Sequence, residues 1–233
     1  MSDHIVESIS SVYKKISHAA MRVGRDPLEV KLLAVTKTVS PEVIREAVDA
    51  GVRLLGESRV QEGKEKIAVL DGDLPDTVSW QMIGNLQSNK AKLAVQLFDM
   101  IQSVDSVDLA RKIDRYASEA GKVQRVLVQV KLAGREAGSG ISPEGLIVLL
   151  EEIGELHNIV VEGLMTIPPF PEIPEDVRPC FRRLREIRDG AERKGFKLPE
   201  LSMGMSGDFE VAVEEGATMV RVGSAIFGRR LYQ

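Results

Sequence analysis

From one end to the other the chain alternates short apolar runs with helix-length segments, and that alternation limits its fold more than any other feature. Strand-like runs lie at Lys31 to Lys37, Arg53 to Glu57, Val78 to Gly84, Met100 to Val104, Arg125 to Leu132, Ile159 to Ile167, Glu200 to Met205 and Thr218 to Val222. Between them come helix-length segments at Pro41 to Ala50, Val60 to Leu70, Ser88 to Leu97, Ser106 to Ala120, Ser142 to His157, Pro174 to Lys194 and Gly207 to Glu215. Ser40-Pro41, Ser142-Pro143 and Pro174 are helix-start signals, and Gly51, Gly121, Gly195 and Gly216 fall just past the expected ends. Runs such as Val126-Leu127-Val128-Gln129-Val130 are almost continuously apolar, as parallel strands covered on both faces must be.

Eight such units in 233 residues predict an α/β fold: a single closed (β/α)8 barrel of the TIM type, one domain spanning residues 1–233. An open doubly wound sheet is the alternative. It is less favoured because eight units would make it large, and no Gly-x-Gly-x-x-Gly follows the first strand. After Gly228 only Arg229 to Gln233 remain, too few for an eighth helix. Ser2 to Arg25, however, carries Ile5, Ile9, Val12, Ile16 and Ala20 at helical spacing, so an extra N-terminal helix is expected to cover the gap.

Composition narrows the function classes. With 43% apolar and 28% charged residues the chain suits a soluble globular protein, and no run approaches a membrane span. Asp3, His4 and Glu7 at the start do not resemble a secretory signal, so a cytoplasmic location is expected. Cys180 is the only cysteine, which rules out an internal disulfide and a thiolate metal site, and no other metal-ligand spacing is present. A net charge of −4, dispersed lysines and arginines, and only 4% aromatic residues argue against a nucleic-acid partner. The Arg182-Arg183-Leu184-Arg185 cluster reads as a solvated helix face, and Pro168-Pro169-Phe170-Pro171 as a stiff connection. A monomer is expected.

In a barrel, chemistry belongs at the carboxyl ends of strands. Those positions here are Lys37, Glu57 with Ser58, Gly84 with Asn85, Ser103, Lys131, Met165 with Thr166, Met205 with Ser206, and Arg221 with Gly223 and Ser224. Lys37 closes the apolar run Leu33-Ala34-Val35-Thr36. An amine held between apolar walls near other cations has its charged form disfavoured and becomes a nucleophile toward carbonyls. The bland alternative is a solvated surface lysine. Gly204-Met205-Ser206-Gly207-Asp208 and Val222-Gly223-Ser224-Ala225 follow the last two strands, where barrels bind phosphate through backbone N–H groups and hydroxyls. Separately, Ser206 could be a helix N-cap and Gly223-Ser224 an ordinary turn. Arg221 would point into the barrel mouth if Val220 and Val222 face outward; otherwise it would pair with a carboxylate such as Glu57.

An amine for an aldehyde, an anion cradle and a cation for a ring nitrogen together suit pyridoxal 5′-phosphate. Arginine's fixed charge keeps the pyridine nitrogen unprotonated and weakens the ring as an electron sink. That suits holding the cofactor, or proton exchange, better than transamination.

The same residues carry a family resemblance. Ala34-Val35-Thr36-Lys37, Gly56-Glu57-Ser58-Arg59-Val60-Gln61-Glu62, Ile83-Gly84-Asn85-Leu86-Gln87-Ser88-Asn89-Lys90, Gly163-Leu164-Met165, Leu201-Ser202-Met203-Gly204-Met205-Ser206 and Val220-Arg221-Val222-Gly223-Ser224-Ala225-Ile226-Phe227-Gly228 resemble the YggS/PROSC family of pyridoxal-phosphate homeostasis proteins. The resemblance implies a barrel like the N-terminal domain of alanine racemase, with the cofactor bound as a Schiff base on Lys37. It further implies phosphate contacts from Ser206, Gly223 and Ser224, Arg221 at the pyridine nitrogen, and Ser58, Gly204 and Met205 beside the cofactor. It implies a carrier that buffers or delivers the aldehyde, transiently meeting apoenzymes, without robust catalysis. Ser58, Asn85, Lys131 and Gly138 depart from the residues common in the family.

The alternative is a small amino-acid racemase, which needs a second acid–base group across the substrate carbon from the lysine. Tyr13, Tyr116 and Tyr232, and His4, His18 and His157, all fall in expected helices or the tail. A phosphosugar aldolase-type barrel is a weaker third reading, because the motifs do not match it.

Overall fold

The structure, a computed structural model, describes residues 2–132, 139–169 and 172–228. Eight parallel strands close into a barrel in chain order: β1 (Lys31–Val35), β2 (Leu54–Glu57), β3 (Ser79–Met82), β4 (Met100–Val104), β5 (Gln124–Gln129), β6 (Ile159–Met165), β7 (Glu200–Met205) and β8 (Met219–Val222). β8 pairs with β1, Leu32 opposite Val220 and Ala34 opposite Val222, and this pairing completes the ring. Helix α1 (Ser2–Arg22) precedes the barrel. Then α2 (Pro41–Asp49), α3 (Val60–Leu70), α4 (Ala91–Leu97), α5 (Val107–Glu119), α6 (Leu146–Gly154), α7 (Arg178–Glu192) and α8 (Phe209–Glu214) cross between successive strands, and the single turn α9 (Ser224–Phe227) follows β8.

The closed barrel expected from the alternation is therefore the architecture found, and the open sheet is excluded. The extra helix is also where the pattern put it. α1 buries Ile5, Ile9, Val12 and Ile16 and packs against α8, α9 and α2. Boundaries differ in places. The lysine-bearing run ends as a strand at Val35, so Lys37 lies in a turn two residues beyond. α6 begins at Leu146 rather than Ser142, because the Gly145 N–H donates to both the carbonyl and the hydroxyl of Ser142 and closes a turn first. A 3-10 turn at Ser88–Lys90 leads into α4, and another at Pro174–Val177 leads into α7.

Strand alternation divides the core in two. Leu33, Val35, Ile83, Met100, Leu127, Met165 and Met219 fill the bore, while Leu32, Ala34, Leu55, Ile101, Val126, Leu164, Val220 and Val222 face the helices. The Arg182 cluster is a solvated helix face, as expected, but one that also ties down a buried carboxylate. Buried Glu215 accepts from Arg178 at 3.2 Å and Arg182 at 2.9 Å and pairs with Arg185 at 3.4 Å, tying α7 to the end of α8. Phe170 and Pro171 of the proline-rich connection, and Arg229 to Gln233, lie outside the described residues. Among the described residues no helix is long and apolar enough to cross a membrane, and no cluster of three or more His, Cys, Asp or Glu could hold a metal ion.

Candidate functional site

Continuing the bore-facing alternation of Leu33 and Val35 past the end of β1 places position 37 on the inner side of the rim. Lys37 is half-buried there. It lines a cavity of about 350 Å³ together with Val35, Thr38, Val43, Gly223, Ser224 and Phe227, at the lower end of the size range of small-molecule sites. The lysine and the glycine–serine loop, 186 positions apart in the sequence, thus share one concavity because β8 pairs with β1.

The turn after β8 forms the cavity's other wall, and the loop after β7 is tied to it. The Ser206 hydroxyl oxygen accepts from the Gly223 N–H at 3.1 Å and the Ala225 N–H at 3.2 Å. It therefore joins the loop after β7 to the turn after β8 and is not a plain helix N-cap; Asp208 holds that position for α8. A Cβ at Gly223 would meet the Val35 Cβ at 3.3 Å and the Val35 carbonyl oxygen at 3.4 Å, so glycine lets this backbone lie directly on β1. Gly204 sits at φ +93°, where β7 shifts register between Ser202 and Met205, and a Cβ there would meet the Ala212 Cβ at 2.6 Å. The irregularity turns Met205 and Ser206 toward the rim, and the Met205 N–H donates to the Asp208 carboxylate at 2.6 Å. Burial pushes the Asp208 carboxyl above the ordinary range, partly opposed by that N–H and by Arg221.

Arg221 lies in the bore, as the outward-facing valines on either side require. One terminal nitrogen donates to the Ser202 hydroxyl at 2.7 Å and the other to the Thr166 carbonyl at 2.8 Å. The expected alternative, an ion pair with Glu57, is not formed. Glu57 alternates outward from Gly56 and accepts from the Thr36 hydroxyl at 2.7 Å and the Lys66 ammonium at 2.8 Å. Behind Arg221 a buried chain crosses the bore: the Ser202 hydroxyl donates to Gln102 Oε1 at 2.6 Å, and Gln102 Nε2 donates to Gln81 Oε1 at 2.6 Å and to the Met219 sulfur at 3.1 Å. Every donor points away from the cation, so each acceptor turns its negative end toward it. Burial lowers the Arg221 pKa to about 10, with Asp208 opposing, which leaves the side chain cationic at neutral pH.

The remaining strand-end residues divide. Ser58 is half-buried beside Gly84. Asn85 and Lys131 line a second, smaller hollow with Gln129, Leu132, Ser139 and Ile167, where the Asn85 amide donates to the Ser139 hydroxyl at 2.6 Å. Ser103 is buried and its hydroxyl lacks a partner. Gly138 lies outside the described residues. Sequence reasoning missed Lys66 and Glu62, which sit on α3 directly behind the Lys37 turn. It also missed the glutamine pair in the bore.

The geometry can be set beside known proteins. The family described as alanine racemase, N-terminal domain, matches residues 10–230. A protein of Aquifex aeolicus named pyridoxal phosphate homeostasis protein is 49% identical over 228 residues, covering 97% of this chain and 98% of that one. The chain belongs to the pyridoxal phosphate homeostasis protein family. An Escherichia coli member of that name is 38% identical over 98% of this chain and 97% of its own. Among solved structures, PipY of Synechococcus elongatus, determined with PLP bound, is 40% identical and superposes with a TM-score of 0.84 over 96% of this chain and 100% of that one. An alanine racemase of Clostridium difficile, 19% identical, superposes at 0.76 over 98% of this chain but only 57% of its own, and is like this family in fold.

Proposed function

We propose that this chain binds pyridoxal 5′-phosphate as a Schiff base on Lys37 and works as a carrier in cofactor homeostasis, holding the reactive aldehyde and handing it to apoenzymes. The observation that carries the reading is the shared cavity, which sets the Lys37 amine against the Gly223-Ser224 turn tied down by Ser206. The residues present fit a phosphorylated aldehyde. Gly223 brings the turn after β8 down onto β1 beside Lys37, Ser224 adds a hydroxyl to the cavity at the start of α9, and Ser206 holds that turn through the Gly223 and Ala225 N–H groups. Pyridoxal phosphate supplies an aldehyde that condenses with an amine, with loss of one water, and a ring able to withdraw electrons from the new bond.

Lys37 would supply the amine that holds the aldehyde, from just past the end of β1 on the rim of the cavity. Arg221, held in the bore by Ser202 and Thr166 and cationic at neutral pH, would meet the ring nitrogen and keep it unprotonated. Ser58, Gly204 and Met205 would border the ligand. Racemisation would need a second acid–base side chain across from Lys37. Tyr13 lies half-exposed on α1, and Tyr116 on α5 stacks under Arg115 at 4.4 Å; neither lines the cavity. Tyr232 lies outside the described residues. These placements support the carrier reading, which we extend to a monomer of 25.6 kDa working in the cytoplasm.

Protein titrated with pyridoxal phosphate should gain a visible absorption band that borohydride fixes to the peptide containing Lys37. Lys37→Ala should give no trapped adduct, and the loaded protein should reactivate an apoenzyme while leaving a panel of chiral amino acids unracemised. Label on another peptide, or racemisation sustained at ordinary enzyme rates, would overturn the proposal.

A further inference from the structure

The turn that carries Lys37 is strained and is held from behind. Thr38 has φ 64°, the one positive value at a non-glycine residue among the described residues. A β-branched side chain rarely adopts that conformation, and such outliers persist only where surrounding contacts over-determine them. Within the turn the Val39 N–H donates to the Thr36 carbonyl and the Thr38 hydroxyl to the Lys37 carbonyl. The remaining contacts come from one assembly between the barrel wall and α3, buried at Lys66 and Glu57 and half-buried at Glu62. The Lys66 ammonium donates to the Thr36 carbonyl at 2.6 Å, to Glu57 at 2.8 Å and to Glu62 at 2.6 Å, which uses all three of its hydrogens. The Thr36 hydroxyl donates to Glu57, and the Thr38 N–H donates to the same Glu62 oxygen that receives Lys66. The backbone is therefore gripped at positions 36 and 38, on either side of the lysine.

An ordinary ion pair pinning a helix to a sheet would not look like this. Glu57 is fully buried, and its second carboxylate oxygen has no hydrogen-bond partner. A buried charged group left half-satisfied is poor as a stability device, since well-packed apolar side chains commonly do as well or better. Nor is Lys66 a second amine for chemistry, because it is buried with every donor engaged. What the assembly does accomplish is to fix the two peptide groups that flank Lys37.

We propose that Lys66, with Glu57 and Glu62, is a positioning assembly that holds the strained turn so that the Lys37 side chain leaves the end of β1 into the cavity. The inference rests on Lys37 being the cofactor amine, and two readouts separate it from that reading. The first needs no cofactor: amide hydrogen exchange at Thr38 in the full chain. Lys66→Met and Glu62→Ala should each speed exchange at Thr38 about tenfold or more, the scale of losing one over-determining contact, while Leu33 in β1 keeps its protection. Glu62→Ala leaves the Glu57–Lys66 pair intact and serves if Lys66→Met does not fold.

The second readout is the borohydride-trapped adduct and the circular dichroism of the visible band, which reports how the bound ring is oriented. Both should weaken in the variants. Adding Thr38→Gly, which removes the steric cost of a positive φ, should restore a large part of the adduct. Unchanged exchange at Thr38, an unchanged adduct and band, or a loss that Thr38→Gly does not rescue would each overturn the proposal. Wild-type protein that forms no adduct at Lys37 would instead defeat the cofactor reading, and the exchange experiment would still decide whether the assembly holds the turn.

Discussion

Two polar assemblies reach the same rim from opposite faces of the barrel wall, the inner one buried and the outer one only half-buried at Glu62. Outside the wall, the ionisable side chains of Glu57, Lys66 and Glu62 bind one another and grip backbone. Inside it, Gln81, Gln102 and Ser202 are neutral and steer one cation, Arg221. The outer assembly sets where the chain runs, and the inner one sets where a side chain points. Inside the bore the direct partners of the guanidinium are neutral, with the Asp208 carboxyl acting on it without a hydrogen bond, whereas the helix–sheet seam brings an ammonium directly against two carboxylates.

The contrast breaks most visibly when the outer cation is removed. Lys66→Met leaves Glu57 buried without its partner and should cost about 3–5 kcal/mol in urea unfolding near pH 8. Burial already raises the Glu57 carboxyl above its ordinary range, against Lys66 and Thr36, which pull it down. A carboxyl with a raised folded pKa takes up its proton more readily folded than unfolded. Its penalty is therefore full above the folded value and gone below the unfolded one, and the cost of Lys66→Met should shrink steadily as the pH is lowered from 8 toward 5. Glu57→Gln added to Lys66→Met should recover most of the loss and remove the pH dependence. A loss that stays constant across that window would mean that Glu57 is not the buried charge that matters.

The inner assembly should respond differently. Gln102→Leu removes the middle of the relay, strands the Ser202 hydroxyl and should cost about 1–3 kcal/mol. Gln81, Gln102 and Ser202 do not titrate, and Arg221 does so at about 10. Asp208, the buried carboxyl coupled to Arg221, keeps its Met205 N–H partner in this variant, so the loss should be nearly the same at pH 5 and pH 8. The visible band of the loaded protein should shift as Arg221 loses its fixed direction. A stability loss that varied with pH would show that the two assemblies share a titrating group and would end the contrast.

These assemblies also mark the limit of what the sequence disclosed. Apolar runs gave the strands, and the strand-end rule then singled out Lys37, Ser206, Gly223 and Arg221 without any contact information. Periodicity could also have found Lys66: Val60, Gly63, Lys66 and Leu70 fall on one helical stripe, and all four are buried. A lysine on that stripe reads as an exposed charge until its partners are known, and those are carboxylates from β2 and from α3 itself and a backbone carbonyl just after β1. Gln81 and Gln102 likewise stand at bore-facing positions of otherwise apolar strands, but only barrel closure brings β4 within reach of β7 and β8. The boundary errors have a local cause. Lys37 and Ser142 lie in turns set by specific hydrogen bonds, to Glu62 and to Gly145, which hydrophobic patterning does not encode.

The smallest effect is expected at the joint between the inner assembly and the rim. Ser206→Ala takes away the acceptor of the Gly223 and Ala225 N–H groups. The Ser206 loop is half-buried, so water can replace the hydroxyl, and the stability cost should be about 0.5–1.5 kcal/mol. The effect on ligand should instead depend on the phosphate. Pyridoxal phosphate should bind about tenfold more weakly, the equivalent of one hydrogen bond to an anion, while pyridoxal, which has no phosphate, should bind as it does to the wild type. Equal weakening of both vitamers would move the phosphate away from these two loops. The Gly223 turn would then be a packing feature of the β8–β1 closure, and the outer assembly would be the one part of the rim fitted to the cofactor.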